Sequence, residues 1–331
     1  MEEKPLMTLL ILSYNFGDYI EETVRGALAQ TYSNLEVVIS DDCSKDKTWE
    51  VICRVVDEYR AGGGKHRVVL NRNEHNRGFL PHFEFARTLC HGKWIVYNDG
   101  DDISHPERVQ RIVDCWEKEN RQPWVIFSSA LKIDTRGRVI GKIVETKDST
   151  SILGGISAYR SDLWEVFLPT EGDNTCQDEV YANRALMLGP RGSISEPLMN
   201  YRVGSGMSSG YYNYRRRRID YLNRRELGSQ DQLFKDLERI KDRLGQQRYD
   251  EWVRRVAEKR NQNVGMVELL GGDDFRTRLN GLKKLTFKKS TGQKLLYFIL
   301  LLPHGMADGI LALGARLYDK FVSMRNLPCE W

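Results

Sequence analysis

Through its first 120 residues the chain alternates between two hydrophobic periods. Short unbroken apolar runs, "TLLILS" (Thr8–Ser13), "LEVVIS" (Leu35–Ser40), "HRVVLN" and "KWIVYN", suit strands buried on both faces. Between them apolar residues recur at helical spacing. Ile20, Val24, Ala27 and Leu28 form one such series; Trp49, Ile52, Val55, Val56 and Tyr59 form the next, which stops at Gly62–Gly64. "PHFEFARTLCHG" predicts a third helix ending at Gly92, and "SHPERVQRIVDCWEKEN" a fourth, with Ser104 as its cap and Pro106 in its first turn. Asp18 and Glu21, three residues apart, predict a capping box on the first helix; Ser44 or Asp46 would cap the second. Strands alternating with crossover helices predict an α/β domain around a parallel sheet, whose ligands bind beyond the carboxyl ends of the strands.

From Trp124 the pattern changes. "WVIFSSALKID", "TRGR" and "VIGKIVE" predict a hairpin with Gly137 in the turn. A loop region containing "GG" and "YRSDLW" leads into "CQDEVYANRALMLGP", a predicted helix with Asp178 in its first turn and Gly189-Pro190 at its end. "SEPLMNYR" is extended, and a glycine- and serine-rich stretch follows. Beyond Tyr211 the pattern is helical and arginine-rich, with no internal repeat and no heptad series.

Charge divides the chain at the same place. Residues 1–210 carry 25 Lys/Arg against 31 Asp/Glu, whereas residues 211–331 carry 25 against 15. An acidic part joined to a basic part implies a site for cations in the first and contact with something anionic in the second. The 331 residues allow one large domain with an extension. The six cysteines form no CxxC pair, no secretory signal is evident, and the longest apolar run, "LLYFILLLP" from Leu295, is half of a membrane span. A cytoplasmic protein with free thiols is the resulting expectation.

The stretch "YNDGDD" (Tyr97–Asp102) places three carboxylates within four residues at a predicted strand end. Mutual repulsion there is relieved by a cation. Mg²⁺ typically takes one or two carboxylates and completes its shell with waters and phosphate oxygens, so a D-x-D such as Asp99 and Asp101 suits a metal-bound diphosphate. An Asp-Gly turn with solvated carboxylates is the bland alternative. A second acidic pair, Asp41-Asp42, again follows a buried strand, where a carboxylate could accept hydrogen bonds from a nucleobase or ribose.

The order and spacing of these segments resemble the family-2 glycosyltransferases, with the nucleotide-diphospho-sugar-binding fold called GT-A. The likeness runs from "LILSYNFGDYIEETVRGALAQTYSNLEVVISDDCSKDKT" through "NRGFLPHFEFARTLCHGKWIVYNDGDDISHPERV" to "QDEVYANRALMLG" and "EPLMNYR". It implies a GT-A catalytic domain over residues 1–205, with the nucleotide-sugar side in 1–105 and the acceptor side in 106–205. Residues 206–331 are expected to form a basic helical extension. The resemblance implies that Tyr14 lines the nucleotide pocket, Asp42 binds the base, Arg77 contacts the nucleotide and Asp99 approaches the ribose. Asp101 would coordinate Mn²⁺ or Mg²⁺ with the diphosphate of a nucleotide-diphospho-sugar such as a UDP-sugar. Asp178 would be the catalytic base of an inverting transfer to a saccharide or lipid-linked acceptor, in surface polysaccharide assembly. A carboxylate in a helix first turn also fits that role, although from that residue alone a helix-terminal charge is the better explanation and only the order of motifs favours the base; Glu179 is the neighbouring alternative. A histidine often follows the family's "YR" pair by two residues; here Gly204 stands there, so no such metal ligand is assigned.

"KKLTFKKSTGQKLLYFILLLPHG" sets lysines beside an apolar segment, as in an interfacial helix on anionic lipid. Peripheral membrane contact through residues 283–303 and a packed helix are both expected of such a pattern. "YNYRRRRIDYLNRREL" mixes arginine with tyrosine, but a solvated or ion-paired helix face explains it, and no nucleic-acid partner is expected. Two other functions share parts of this pattern. A sugar nucleotidyltransferase would carry a basic glycine-rich loop where "SYNFGDYIEE" stands. A non-catalytic saccharide-binding protein would be expected to lack Asp101 or Asp178.

Overall fold

The computed structural model describes residues 4–146, 154–170, 176–204, 219, 221–285 and 301. The chain forms two compact units, Met1–Ser209 with Glu238–Gly245, and Gly210–Leu237 with Gln246–Trp331.

In the first unit β1 (Met7–Ser13), β2 (Leu35–Asp41), β3 (Arg67–Arg72) and β4 (Trp94–Asp99) alternate with helices α1 (Ile20–Leu28), α2 (Thr48–Ala61) and α3 (Phe79–Ala86). They pair in parallel in the order β3-β2-β1-β4, as the two periods predict. Every residue of β1 and β2 is buried, which is why both read as unbroken apolar runs. Beyond β4 the sheet becomes mixed. The short β5 (Ile103–Ser104) and helix α4 (Arg108–Lys118) lead to β6 (Val125–Ile133) and β7 (Val139–Ile143), the predicted hairpin, with Gly137 at φ +79° in its turn. Next come β8 (Ser157–Arg160), the single turn α5 (Leu163–Val166), α6 (Gln177–Leu188) and β9 (Arg191–Arg202). Strand β8 lies antiparallel between β4 and β6, β9 runs parallel to β6, and β5 pairs antiparallel with β9.

One face of the sheet packs its Met7, Leu9, Ile11, Val37 and Ile39 against Val24 and Ala27 of α1, Ile52 and Val56 of α2, and Ile112 and Trp116 of α4. The opposite face is aromatic. Tyr97 meets Phe79 and Phe83 of α3 edge-on, and Tyr181 of α6 stacks on Phe83 at 5.1 Å between ring centres.

Two local expectations differ from what forms, and a third resolves to one of its two alternatives. Asp18 and Glu21 make no capping box: Tyr19 stands at the N-cap without a side-chain bond, and Asp18 pairs with Lys47 while Glu21 joins Arg25 and Arg54. Ser104 does not cap α4, because its hydroxyl donates to Asn98 Oδ1 (2.6 Å) and its backbone pairs with β9; the helix starts four residues later. At α2 the cap-like bond belongs to Asp46, whose Oδ1 accepts from the Thr48 amide at 3.0 Å, whereas Ser44 is drawn to Asp41 and accepts from the Asn15 amide.

The described part of the remaining chain is helical. A π-helical turn, Leu222–Glu226, runs into Leu227–Leu244, followed by Gln246–Gly271 and by Phe275–Lys283, which Asp274 caps by accepting from the Thr277 amide at 2.8 Å. Leu222, Leu269, Leu270, Leu282, Leu285 and Leu301 form the core of the second unit. Among the described residues no helix is long and apolar enough to cross a membrane. Most of the lysine-flanked segment 283–303 lies outside the described residues.

Candidate active site

The acids predicted from sequence gather at one edge of the sheet because parallel register aligns their strand ends. Ser13 at the end of β1 pairs with Asp41 on one side, and Leu12 pairs with Asp99 on the other. Tyr14 follows β1 directly and is 41 % exposed.

On the β2 side the carboxylates are already employed. Asp41 accepts from Ser13 Oγ (3.2 Å) and the Ser44 amide (2.9 Å). Asp42 accepts from Asn73 Nδ2 at 2.7 Å, from the Arg77 amide at 3.0 Å and from the Gly78 amide at 3.1 Å. It therefore fastens the loop between β3 and α3, and with it Arg77, whose guanidinium lies 4.3 Å above the Phe85 ring. A polar network backs this loop: Asn71 Nδ2 donates to Ser40 Oγ (2.9 Å) and Asn73 Oδ1 (3.1 Å), and His82 Nε2 lies 2.7 Å from the same Ser40 hydroxyl.

On the β4 side four acids converge. Asp99 accepts a short hydrogen bond from the Tyr97 hydroxyl. Gly100 has no room for a side chain, since a Cβ would sit 2.6 Å from Phe16 and 2.9 Å from Ser13 Cβ; its carbonyl accepts from Thr23 of α1 at 3.0 Å. That anchorage makes D-G-D a fixed turn rather than a solvated one. Asp101 is 6 % exposed, and its carbonyl accepts from Arg202 Nε at 3.0 Å. Asp102 Oδ1 accepts from the Arg202 amide at 2.7 Å, while its Oδ2 is buried without a hydrogen-bond partner. Asp178 reaches the same place from α6 and accepts from the backbone of Gly154. A Cβ on Gly155 would stand 3.1 Å from Asp102 Oδ2 and 3.3 Å from Asp99 Oδ2.

Two arginines hold this acidic end together. Arg108 is fully buried; its Nη1 donates to Asn98 Oδ1 (3.1 Å) and Ser104 Oγ (2.9 Å), its Nη2 to the carbonyls of Tyr97 (2.9 Å) and Gly155 (3.0 Å). Arg202 adds Glu22 Oε2 (2.6 Å) and the Asp134 carbonyl (3.1 Å) to its bonds with 101 and 102. Neither was singled out from sequence. For Arg108 a signal existed: it falls four residues before Ile112 and eight before Trp116, on the buried stripe of α4.

Burial governs the protonation here. It pushes Asp99 up to about 7, with the Asp101 charge adding to the effect, and raises Asp102 well above the carboxylate range. Asp178 is raised by burial too, against the opposing Gly154 bond. Burial lowers Arg108 to about 10, with Asp102 and Asp99 opposing. The donors fit a hard divalent cation: they are carboxylate oxygens, one of them an acceptor buried without a donor. Among the described residues no three His, Cys, Asp or Glu side chains form a metal cage by themselves, so an ion held here would draw its other ligands from a phosphate and water.

Residues 8–163 match the model of glycosyl transferase family 2. They belong to that family. The family 2 match takes in both acidic strand ends and the Gly154–Gly155 turn, and stops before Asp178. Relatives include the UDP-Glc:alpha-D-GlcNAc-diphosphoundecaprenol beta-1,3-glucosyltransferase WfaP of Escherichia coli, 31% identical over 114 residues, which are 34% of this chain and 42% of that protein. The succinoglycan biosynthesis protein ExoO of Rhizobium meliloti is 31% identical over 136 residues, 41% of this chain and 37% of that one. The matched stretches thus span less than half the length of either relative. Among solved structures, the fold is shared with the mannosyltransferase PcManGT from Pyrobaculum calidifontis in complex with GDP-Man and Mn²⁺. Its TM-score is 0.58 at 16% identity, covering 98% of this chain and 85% of that one. It is also shared with S. aureus TarS 1-349 in complex with UDP-GlcNAc, at a TM-score of 0.52 and 18% identity over 84% and 89% of the two chains. The chain therefore has the GT-A architecture expected from its sequence.

Proposed function

We propose that the protein transfers a sugar, with inversion, from a nucleoside-diphosphate donor to a saccharide or lipid-linked acceptor, with Mn²⁺ or Mg²⁺ at the donor diphosphate. The observation carrying this reading is the gathering of Asp99, Asp101 and Asp102 at the end of β4 with Asp178 brought in from α6 on the Gly154–Gly155 turn. On this reading a cation-binding edge and a separate catalytic carboxylate stand side by side. Tyr14 and Arg77 flank the base and ribose, and Asp42 acts on the nucleotide by fixing the loop that carries Arg77. Asp99 lies on the ribose side, and Asp101 holds the metal, whose charge would stabilise the departing diphosphate. Asp178 takes the proton from the acceptor hydroxyl as that oxygen attacks the anomeric carbon. WfaP and ExoO are named for a glucosyl transfer onto a diphospholipid-linked sugar and for succinoglycan biosynthesis, which supports a place in polysaccharide assembly.

The two carboxylates separate in experiment. A panel of UDP-glucose, UDP-N-acetylglucosamine and GDP-mannose with Mn²⁺ identifies the donor by thermal stabilisation, about 2.7 kcal/mol at a ligand concentration of ~100 Kd. Asp101→Asn is expected to weaken metal-dependent nucleotide binding in calorimetry together with turnover. Asp178→Asn should bind donor as the parent does, yet transfer at least ~10²-fold more slowly, as loss of a general base does. Transfer by Asp178→Asn within a few-fold of the parent would remove Asp178 from the role of base.

A further inference from the structure

The turn formed by Gly154, Gly155 and Ser157 is held at three points. The Ser157 hydroxyl donates to the Gly154 carbonyl at 2.6 Å, buried Arg108 Nη2 donates to the Gly155 carbonyl at 3.0 Å, and the Gly154 backbone bonds the Asp178 carboxylate. The approach leaves no room: a Cβ on Gly154 would lie 2.0 Å from Asp178 Oδ1 and 2.9 Å from its Cγ. Those contacts involve the carboxyl group itself, on a short side chain fixed to the first turn of α6, so relief requires the carboxylate to leave. Arg108 in turn is tied to β4 through the Tyr97 carbonyl and Asn98. An unbroken set of bonds thus runs from the strand bearing the donor-side acids, through Arg108 and the glycine turn, to Asp178.

We infer that Gly154, clamped through Ser157 and Arg108, is the positioning residue of Asp178: its bare backbone fixes where the carboxylate stands relative to the β4 acids. The inference rests on Asp178 being the base. The groups whose ionisation Asp178 opposes come from three strands, Tyr97 and Asp99 of β4, Tyr159 of β8 and Tyr201 of β9. The Gly154 bond stabilises the ionised Asp178 against burial. Displacing the carboxylate removes that bond, which raises the pKa of Asp178, so the acidic limb of a rate profile that needs ionised Asp178 moves to higher pH.

The test pairs Gly154→Ala with Asp178→Asn and the double variant, using whichever of the three nucleotide-sugars the panel selects, with Mn²⁺. Gly154→Ala should bind donor normally and slow transfer by about 10²-fold, the cost of a ~1 Å misplacement. Its acidic limb should move up in pH. In a carboxyl ¹³C titration of the metal-free protein, the resonance missing from Asp178→Asn should titrate higher in Gly154→Ala than in the parent. The double variant should be no slower than Asp178→Asn, because one residue acts through the other. If Asp178→Asn is slow while Gly154→Ala keeps parental rate and pH profile, or if the two losses multiply in full, Gly154 does not position the base, and the reading of Asp178 survives alone. If Asp178→Asn transfers normally, both readings fall. Should Gly154→Ala not fold, Ser157→Ala loosens the same turn without adding an atom to it; an unchanged limb and titration there would overturn the inference.

Discussion

His82, 3 % exposed on α3, lies under the loop that Asp42 holds, and burial keeps its imidazole below the ordinary histidine range despite the nearby charges of Asp42 and Asp41. Well above pH 6.5 the ring is neutral folded and unfolded, and it does not affect the balance. As pH falls through 6.5 the unfolded chain takes up a proton that the folded one refuses, so stability is lost down to the folded pKa and not beyond it. The expected contribution is a fall of up to about 1.4 kcal/mol per pH unit within that window. Chemical denaturation at pH 6.5 and 5.5 measures it: His82→Gln should flatten the dependence relative to the parent, and equal slopes would refute the assignment. Little of this was visible in the sequence, where the six histidines showed no spacing that distinguishes one from another. Asp42 was visible as a buried acid at a strand end. Its partners, the amides of Arg77 and Gly78, were not, because backbone donors leave no mark in a residue pattern.

The helix α6 is held to α3 by a half-buried carboxylate. Glu84 accepts from the Tyr181 hydroxyl through a short bond, from the Thr170 amide (3.1 Å) and hydroxyl (3.0 Å), and from Arg87 Nε (2.6 Å). Tyr181 lies one turn after Asp178, so the bond that fixes Tyr181 also fixes the helix end that carries the acid. Tyr181→Phe keeps the stacking on Phe83 and removes only the hydroxyl. It should lower stability by about 1 kcal/mol and the melting temperature by about 2–4 °C; a scan superimposable on the parent would show the bond to be idle. The parallel strands, the crossover helices and the β6–β7 hairpin were legible because each follows from local spacing. The position of β8 was not: four residues carry too little period, and their place between β4 and β6 depends on partners 30 to 66 residues away. Ser104 was misread for a related reason. Its capping chemistry is real, but the distant strand β9 takes the backbone of Ile103–Ser104 before α4 can begin.

At the scale of the molecule, the acidic first part and the basic last part predict different ligands. Co-sedimentation with phosphatidylserine vesicles should increase at low ionic strength and diminish with salt and with Lys→Glu changes at Lys283, Lys284 and Lys288. Protein remaining in the supernatant at low salt would assign the lysine-flanked segment to internal packing. Another whole-molecule property follows from β9. Helix α6 begins beside Asp178, and the strand that returns from it ends at Arg202, whose bonds reach Asp101, Asp102, Glu22 and Asp134. The outward helix and the homeward strand therefore start and finish at the same acidic end of the sheet, so Cys176–Gly204 is one cassette carrying both the acid and the clamp. In chimeras between relatives, crossovers at the two ends of that cassette should transplant acceptor preference intact. A crossover inside it, between Leu188 and Arg191, would marry one parent's acid to the other's clamp.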